Sequence, residues 1–340
     1  MTKPHLSLPS ISVVLCCHNS AKRLPETLGH LEAQEIPKGL EWEILAVDNA
    51  SSDGTAKLIA EFAREHPHLT VRVVNEPQLG TIYARQRGMA EARCETVLFV
   101  DDDNWLDPNY LRLVAETLRK NPEISALGGM STAQCEGSEP AWLARYQGWY
   151  AVNGPADAQP VLREEPFLWT AGAAYRRETF DRIRSLPFLV SGRRGNTLDA
   201  GEDVELSELI KLAGGKMYRH TGLHFRHYLP AGRLSWDYLR RLCYAAGAVS
   251  VKLDAYRLPV ARSIWPRQIL RSWWAQISNV CLQIIRYRLM VWQPFQSATQ
   301  RDDRLLRLVT YRGRLSALWS YRQEYREMFK RNDRQPRTQP

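Results

Sequence analysis

Three consecutive acids, Asp101, Asp102 and Asp103, follow the apolar run at 97–100 without a break. A buried strand that ends in so much negative charge needs a compensating partner, because like charges held together disfavour ionisation. Hard carboxylate oxygens suit a divalent cation, Mg2+ or Mn2+, and Mg2+ is commonly shared between one or two carboxylates and a substrate diphosphate. Taken alone, the stretch equally fits a solvated turn in which Asp103 or Asn104 caps a following helix. Two more polar clusters follow apolar runs in the same way: His18 and Asn19 after residues 11–17, and the segment DNASSDG from Asp48 after residues 42–47. By itself the Asn/Ser/Gly segment is ordinary turn chemistry. Open parallel sheets bind ligands at the carboxyl ends of their strands, so the three clusters jointly describe one anionic, hydrogen-bonding crevice. Further along, His220, His224 and His227 recur at spacings of four and three, which raises a three-histidine zinc site. The acidic triplet already offers a hard-ion centre, and structural roles suit His220 and His224.

These residues need a scaffold that brings strand ends together. The runs at 11–17, 42–47, 70–74 and 97–100 are apolar or β-branched, and helical patterns at 25–35, 55–64 and 82–92 lie between them. Strands alternating with helices predict an α/β fold with a mostly parallel sheet built from βαβ units. Ser52 or Asp53 is placed to cap the helix from Thr55, and Asp107 followed by Pro108 reads as an N-cap and first helical residue. From about residue 123 to 178 the pattern is irregular. A further helix at 204–212 is closed by Gly214 and Gly215.

In this order and spacing the segments ISVVLCCHN, EILAVDNASSDGT, GTIYARQRGMAEA, VLFVDDDNWLDP, WTAGAAYRRETF and GEDVELSELIKLAGG resemble the family 2 glycosyltransferases of the nucleotide-sugar-binding GT-A fold. The resemblance covers about residues 10–240 and departs from the family where Cys17 and His18 stand in place of a frequent Pro and Tyr. It implies a GT-A catalytic domain over 8–240 and a nucleotide-sugar donor, a UDP- or GDP-sugar. It further implies that Asp48 accepts a hydrogen bond from the nucleobase, that Arg85 holds the nucleotide, and that Asp101 and Asp103 are the D-x-D pair. Asp103 is then the direct metal ligand, Asp101 faces ribose or metal-bound water, and Asp102 stays open between these roles. His18 and Asn19 line the nucleotide side of the crevice. The family's base lies in the Glu202-Asp203 pair; we read Asp203 as the base and Glu202 as its neighbour in acceptor binding. Both acids would also favour a helix N-terminus with no other role. His227 is the histidine that the resemblance brings to the diphosphate or metal. The small residues of the WTAGA segment permit close approach to a sugar ring, or simply tight core packing.

Composition bounds the rest. With 340 residues, 44% hydrophobic and 24% charged, the chain is globular, and six scattered cysteines without a C-x-x-C suit buried free thiols. The formal charge of +9 is concentrated beyond residue 256, where 17 Lys and Arg face 5 Asp and Glu. There Trp265, Trp273, Trp274 and Trp292 lie among Arg267, Arg271, Arg286 and Arg288, the makeup of an amphipathic interfacial helix, and the uncharged stretch 272–285 is too short to span a bilayer. Residues 241–330 therefore read as a helical, basic extension, membrane-associating or packed on the catalytic domain, and 331–340 as a disordered tail. The MTKPHLSLPS start has no apolar core of a signal peptide. The expected setting is cytoplasmic or peripheral on the cytoplasmic membrane face, with an anionic membrane surface as partner and no nucleic acid. The function expected is inverting transfer of a sugar to a saccharide or lipid-linked acceptor. Two rivals stand beside it, a nucleotidyltransferase and a non-catalytic binding protein on the same fold.

Overall fold

The apolar runs at 11–17, 42–47 and 97–100 pair side by side and are covered on both faces, the condition under which parallel strands lose their alternation. β1 (Ile11–Cys17) lies between β2 (Trp42–Asn49) and β4 (Thr96–Asp101), and β3 (Val71–Glu76) pairs outside β2, all in parallel. The crossovers are α1 (Leu24–Glu32), α2 (Thr55–Glu65) and α3 (Thr81–Glu91). This computed structural model describes residues 7–183, 186, 188–195, 197–258, 266–293 and 297–333. The chain divides into two units, one of Met1–Ser185 with Leu209–Ala231 and one of Leu186–Glu208 with Gly232–Arg337.

In the first unit the sheet runs on past β4 as a mixed one. After β5 (Asn104–Leu106) and α4 (Tyr110–Lys120) come the long β6 (Ile124–Cys135), the short α5 (Leu143–Tyr146), β7 (Leu162–Glu164), β8 (Ala174–Arg176), α6 (Arg177–Ile183) and, after the intervening segment, β9 (Lys216–Leu229). The order is β3-β2-β1-β4-β8-β6-β9-β5, with β7 paired to β9. β8 is antiparallel to both neighbours, β9 is parallel to β6, and β5 is antiparallel to β9. The core joins Val13, Leu15, Ile44, Leu98, Val100 and Phe225.

Three local expectations are corrected. The segment from 123, read as irregular, contains the twelve-residue β6, whose pattern is broken by Gly128 and Gly129 at a register shift against β9. Asp107 is not a helix cap: α4 begins at Tyr110 with Asn109 at its N-cap, and Asp107 instead accepts the Tyr110 amide through its backbone carbonyl at 3.0 Å. At α2 the N-cap is Gly54, and Asp53 contributes from one residue earlier by accepting the Thr55 amide at 3.2 Å.

The second unit is helical. α7 (Glu202–Leu212) carries the chain from it back into the first unit, and ends as expected: Gly214 has φ 75°, with its amide on the Lys211 carbonyl and that of Gly215 on Ile210. α8 (Trp236–Arg257), α9 (Arg267–Leu270), α10 (Trp273–Val291), α11 (Ala298–Ser320) and α12 (Tyr325–Asp333) follow. Trp265 and residues 334–340 of the tail expected over 331–340 lie outside the described residues, whereas residues 331–333 belong to α12. Val251, Val280, Leu318, Tyr325 and Phe329 form this unit's core. Buried within it, Asp254 accepts from Arg314 at 2.7 Å and Tyr325 at 2.8 Å; burial raises its carboxyl pKa against the pull of Arg314. All six cysteines are free thiols. Among the described residues no helix is long and apolar enough to cross a membrane.

α8 and α11 meet at backbone distance. A Cβ at Gly247 would fall on the Thr310 carbonyl, and one at Gly313 on that of Tyr244. Alanine raises helix propensity by about 1 kcal/mol over glycine, yet here it must push two backbones apart. Gly247→Ala and Gly313→Ala are each expected to destabilise the protein by about 1–3 kcal/mol, read as a lower midpoint in urea unfolding; a raised midpoint would show that the helices part freely.

Candidate functional site

β2, β1 and β4 end at one level. Register pairs Cys17 with Asp48 and Cys16 with Asp101, so the polar residues that follow each strand emerge together on the carboxyl edge of the sheet. The loops after β1 and β2 are tied to each other: His18 Nδ1 contacts the Asn49 carbonyl at 2.7 Å, the Asn19 amide donates to Ser51 Oγ at 3.0 Å, and Asn19 Oδ1 accepts from the Ser52 amide at 2.8 Å. Asn19 holds a positive φ of 49°, a conformation that asparagine tolerates better than most residues. His18 and Asn19 thus spend several of their polar groups on shaping the edge.

Asp48 is buried, and its Oδ1 finds no hydrogen-bond partner. A buried acceptor left in that state costs free energy until a donor reaches it. One strand away, Arg85 of α3 is buried and its Nη2 stands 3.7 Å from Asp101 Oδ1. Asp101 keeps 31% of its side chain exposed.

The three acids are compensated differently. Asp102 Oδ2 accepts a short hydrogen bond from Ser20 Oγ and a 2.6 Å one from Arg23 Nη2, and its carbonyl accepts from Thr27 at 2.8 Å. Burial, with Asp103 beside it, pushes the Asp102 carboxyl up to about 6 against the pull of Arg23. Asp102 therefore faces the α1 side of its turn. Asp103 is buried; its Oδ1 accepts from Asn104 Nδ2 at 3.2 Å and lies 3.4 Å from His227 Nε2. Asn104 in turn accepts the Asp101 amide at 3.0 Å, so one amide side chain fixes the spacing of the first and third acids.

His227 is placed by β9. It pairs in register with Asn104, and the Tyr228 amide donates to the Asp103 carbonyl at 2.8 Å. Its ring is buried and its Nδ1 has no hydrogen-bond partner. The three histidines do not converge. Successive strand residues face opposite ways, and His224 points to Asp107 and Thr132, each at 3.0 Å, while His220 Nδ1 accepts the Gly222 amide at 3.1 Å. No group of three or more His, Cys, Asp or Glu side chains closes around a cation by itself among the described residues. The residues nonetheless fit a hard divalent ion that brings further ligands with it: two carboxylates of one turn, with an imidazole nitrogen 3.4 Å from one of them.

Glu202 and Asp203 open α7 in the second unit, with Glu205 in the same turn. Glu202 is buried and Asp203 half-buried. Glu205 holds the preceding segment by accepting the Leu189 and Val190 amides at 2.5 and 2.8 Å, and takes the Tyr256 hydroxyl at 2.6 Å. The WTAGA segment uses its small residues for core packing: Gly172 has φ 67°, and a Cβ there would strike the Phe225 ring and the Tyr110 hydroxyl.

Several supports escape motif reading. Ser20 and Arg23 hold Asp102 from a loop whose sequence shows no pattern. Trp105 stacks between His30 and Tyr228 at 5.8 and 5.4 Å, with Arg226 over its ring at 5.3 Å. The alternation of buried Leu223, Phe225, His227 and Leu229 was the available signal for this strand. Asn49 is the third: its amide donates to the Glu76 and Gln78 carbonyls at 3.0 and 2.7 Å and accepts the Gly80 amide at 2.8 Å.

Comparison with known proteins agrees with this arrangement. The family model described as Glycosyl transferase family 2 matches residues 12–184. A poly-beta-1,6-N-acetyl-D-glucosamine synthase of Staphylococcus epidermidis is 31% identical over 125 residues, 37% of this chain and 29% of the relative, so the match spans under a third of that protein's length. The crystal structure of S. aureus TarS 1-349 in complex with UDP-GlcNAc superposes with a TM-score of 0.53 at 16% identity, covering 92% of each chain. That of GalNAc-T7 with UDP, GalNAc and Mn2+ gives 0.51 at 18% identity over 73% of this chain and 50% of the other. The fold is thus the GT-A one, a mixed and mostly parallel sheet followed by C-terminal helices.

Removing Asn49's three hydrogen bonds leaves the buried Gly80 amide without its acceptor and releases the Glu76 and Gln78 carbonyls between β3 and α3. Asn49→Ala is expected to cost about 2–3 kcal/mol in urea unfolding, and an unchanged midpoint would mean that water replaces the amide.

Proposed function

The chain belongs to glycosyl transferase family 2, and from that premise we propose a metal-dependent, inverting transfer of a sugar from a nucleotide-sugar donor, a UDP-sugar, to a hydroxyl of a saccharide or lipid-linked acceptor. The observation that carries the reading is the buried, unpartnered Asp48 Oδ1 level with the Asp101–Asp103 turn on the same sheet edge. The uracil N3–H is a donor that would satisfy Asp48, as the guanine edge of a GDP-sugar also would. The UDP-GlcNAc bound by TarS favours the uridine donor.

Arg85 lies between Asp48 and the acidic turn in function: its guanidinium, held near Asp101, offers donors to the nucleotide. His18 and Asn19 keep the base side of the edge in shape. Asp103, Asp101 and His227 would hold Mg2+ or Mn2+, and Mn2+ accompanies UDP in GalNAc-T7. When bound, the cation screens the diphosphate and favours its departure as a Lewis acid. Asp102, engaged by Ser20 and Arg23, positions its two neighbours.

Transfer needs an acceptor oxygen stripped of its proton, since an alcohol is a poor nucleophile at neutral pH. Asp203 takes that proton as the oxygen bonds to the anomeric carbon. The bond from that carbon to the diphosphate oxygen breaks with its electron pair, releasing nucleoside diphosphate. Glu202 helps to seat the acceptor. A single displacement inverts the anomeric centre, so an α-linked donor yields a β-linked product. The acceptor is a growing polysaccharide or a glycolipid at the cytoplasmic membrane face, a setting in keeping with the basic C-terminal region.

Calorimetric titration with UDP and GDP, with and without Mn2+, tests the donor site. Asp103→Ala is expected to abolish the metal-dependent part of binding. Asp203→Asn should keep nucleotide binding and lose about 10²–10⁴-fold in kcat. Retention of the donor's configuration in the product, or unimpaired turnover by Asp203→Asn, would exclude the mechanism.

A further inference from the structure

α10 is apolar on two opposite faces. One packs inward, with Trp273, Ile277, Val280 and Ile284 joined to the cluster that contains Val251 and Leu318. On the other, Trp274, Leu282, Ile285, Leu289 and Trp292 are exposed, from 56% at Ile285 to 81% at Trp292. At the ~100° per residue of an α-helix these five side chains fall within an arc of about 80°, a stripe with a tryptophan at each end, interrupted by the exposed Ser278 between Trp274 and Leu282. Arg286 and Arg288, both exposed, project about 40° beyond either border of that arc. Four arginines and no carboxylate occupy residues 266–293. Trp319 of α11 is 61% exposed beside Trp273, at a ring distance of 5.8 Å, and adds aromatic surface near the N-terminal end of the stripe.

A helix with a second apolar face that no protein covers has an unmet partner. We propose that this stripe lies in the plane of an anionic lipid bilayer surface, with Trp274 and Trp292 at headgroup level, the three aliphatic side chains among the acyl chains, and Arg286 and Arg288 on lipid phosphates. Tryptophans at the ends and arginines along both borders match the layering of that interface, apolar below and anionic at the rim. A second copy of the chain fits worse. The stripe is about 27 Å long and one helix face wide, well short of the ~800 Å² per partner of a stable interface, and self-pairing would set cations against cations. The proposal rests on the membrane-surface part of the functional reading and deepens it, while the donor site is read out separately.

The full chain is cosedimented with vesicles of phosphatidylcholine alone or mixed equally with phosphatidylglycerol. Binding to the mixed vesicles is expected, weakened by salt. Leu282→Glu with Leu289→Glu should lower the partition coefficient at least about tenfold, and Arg286→Gln with Arg288→Gln about tenfold on the anionic vesicles only. These exposed positions leave UDP binding unchanged in both double variants. Equal sedimentation of wild type and the Leu282/Leu289 variant, or absence of wild-type binding to anionic vesicles, would overturn the proposal. So would a lipid-free, concentration-dependent dimer that the same variant abolishes, which would assign the stripe to a second copy. Vesicle failure with UDP binding intact counts against the stripe alone; UDP failure with vesicle binding intact counts against the donor site alone.

Discussion

Three carboxylates at the end of one buried strand repel one another, and much of the first unit is arranged around that repulsion. Asp101 faces the Arg85 guanidinium, Asp102 is compensated by Ser20 and Arg23 from the loop before α1 and by Thr27 of α1 at its carbonyl, and Asp103 shares its oxygen with Asn104 and the His227 ring. Each solution recruits a different element, so β4 is tied in turn to α3, to α1 and to β9. The arrangement leaves the outer two acids facing a partial cation site while the middle one is committed to the protein. In the proposed reading, a divalent ion would complete a balance that the protein alone leaves partial.

The helical unit answers a different constraint. α8 and α11 meet through Gly247 and Gly313 at backbone contact, and Asp254, Arg314, Gln276 and Tyr325 are linked by hydrogen bonds beside that seam. Close contact of this kind fixes helix positions more tightly than side-chain interdigitation, because there is no rotamer to adjust. α10 is thereby held with one apolar face occupied and the other presented outward.

Much of the catalytic scaffold was legible in residue order. Runs such as 11–17 and 97–100 are too apolar and too short for anything but strands covered on both faces, and the helices between them force parallel crossovers. Helix ends were legible where glycine carries them, as at Gly214, and illegible at Asp107, whose Asp-Pro pair looks like a cap and serves a turn. β6 and β9 were hidden for a physical reason: paired glycines interrupt one, and polar rings and guanidinium groups occupy the other, where tertiary partners such as Trp105 make them acceptable in a strand. Of the candidate site, the types of residue were readable but not their division of labour. Only the packing of Ser20 and Arg23 separates Asp102 from its neighbours.

The register shift between β6 and β9 has an effect on what the site can tolerate. Gly128 pairs with Arg219, yet Met130 pairs with His224, so two steps on one strand are matched by five on the other. The slack lies at residues 220–223, where Gly129 allows the Leu223 backbone to come close. The strand is therefore phased twice, once before the slack and once after it. Residues 220–223 fall outside the pairing with β6, whereas beyond His224 a residue gained at Phe225 would put Arg226, and one lost Tyr228, where His227 stands. Four residues thus separate the phase of 216–219 from that of 224–229 against β6.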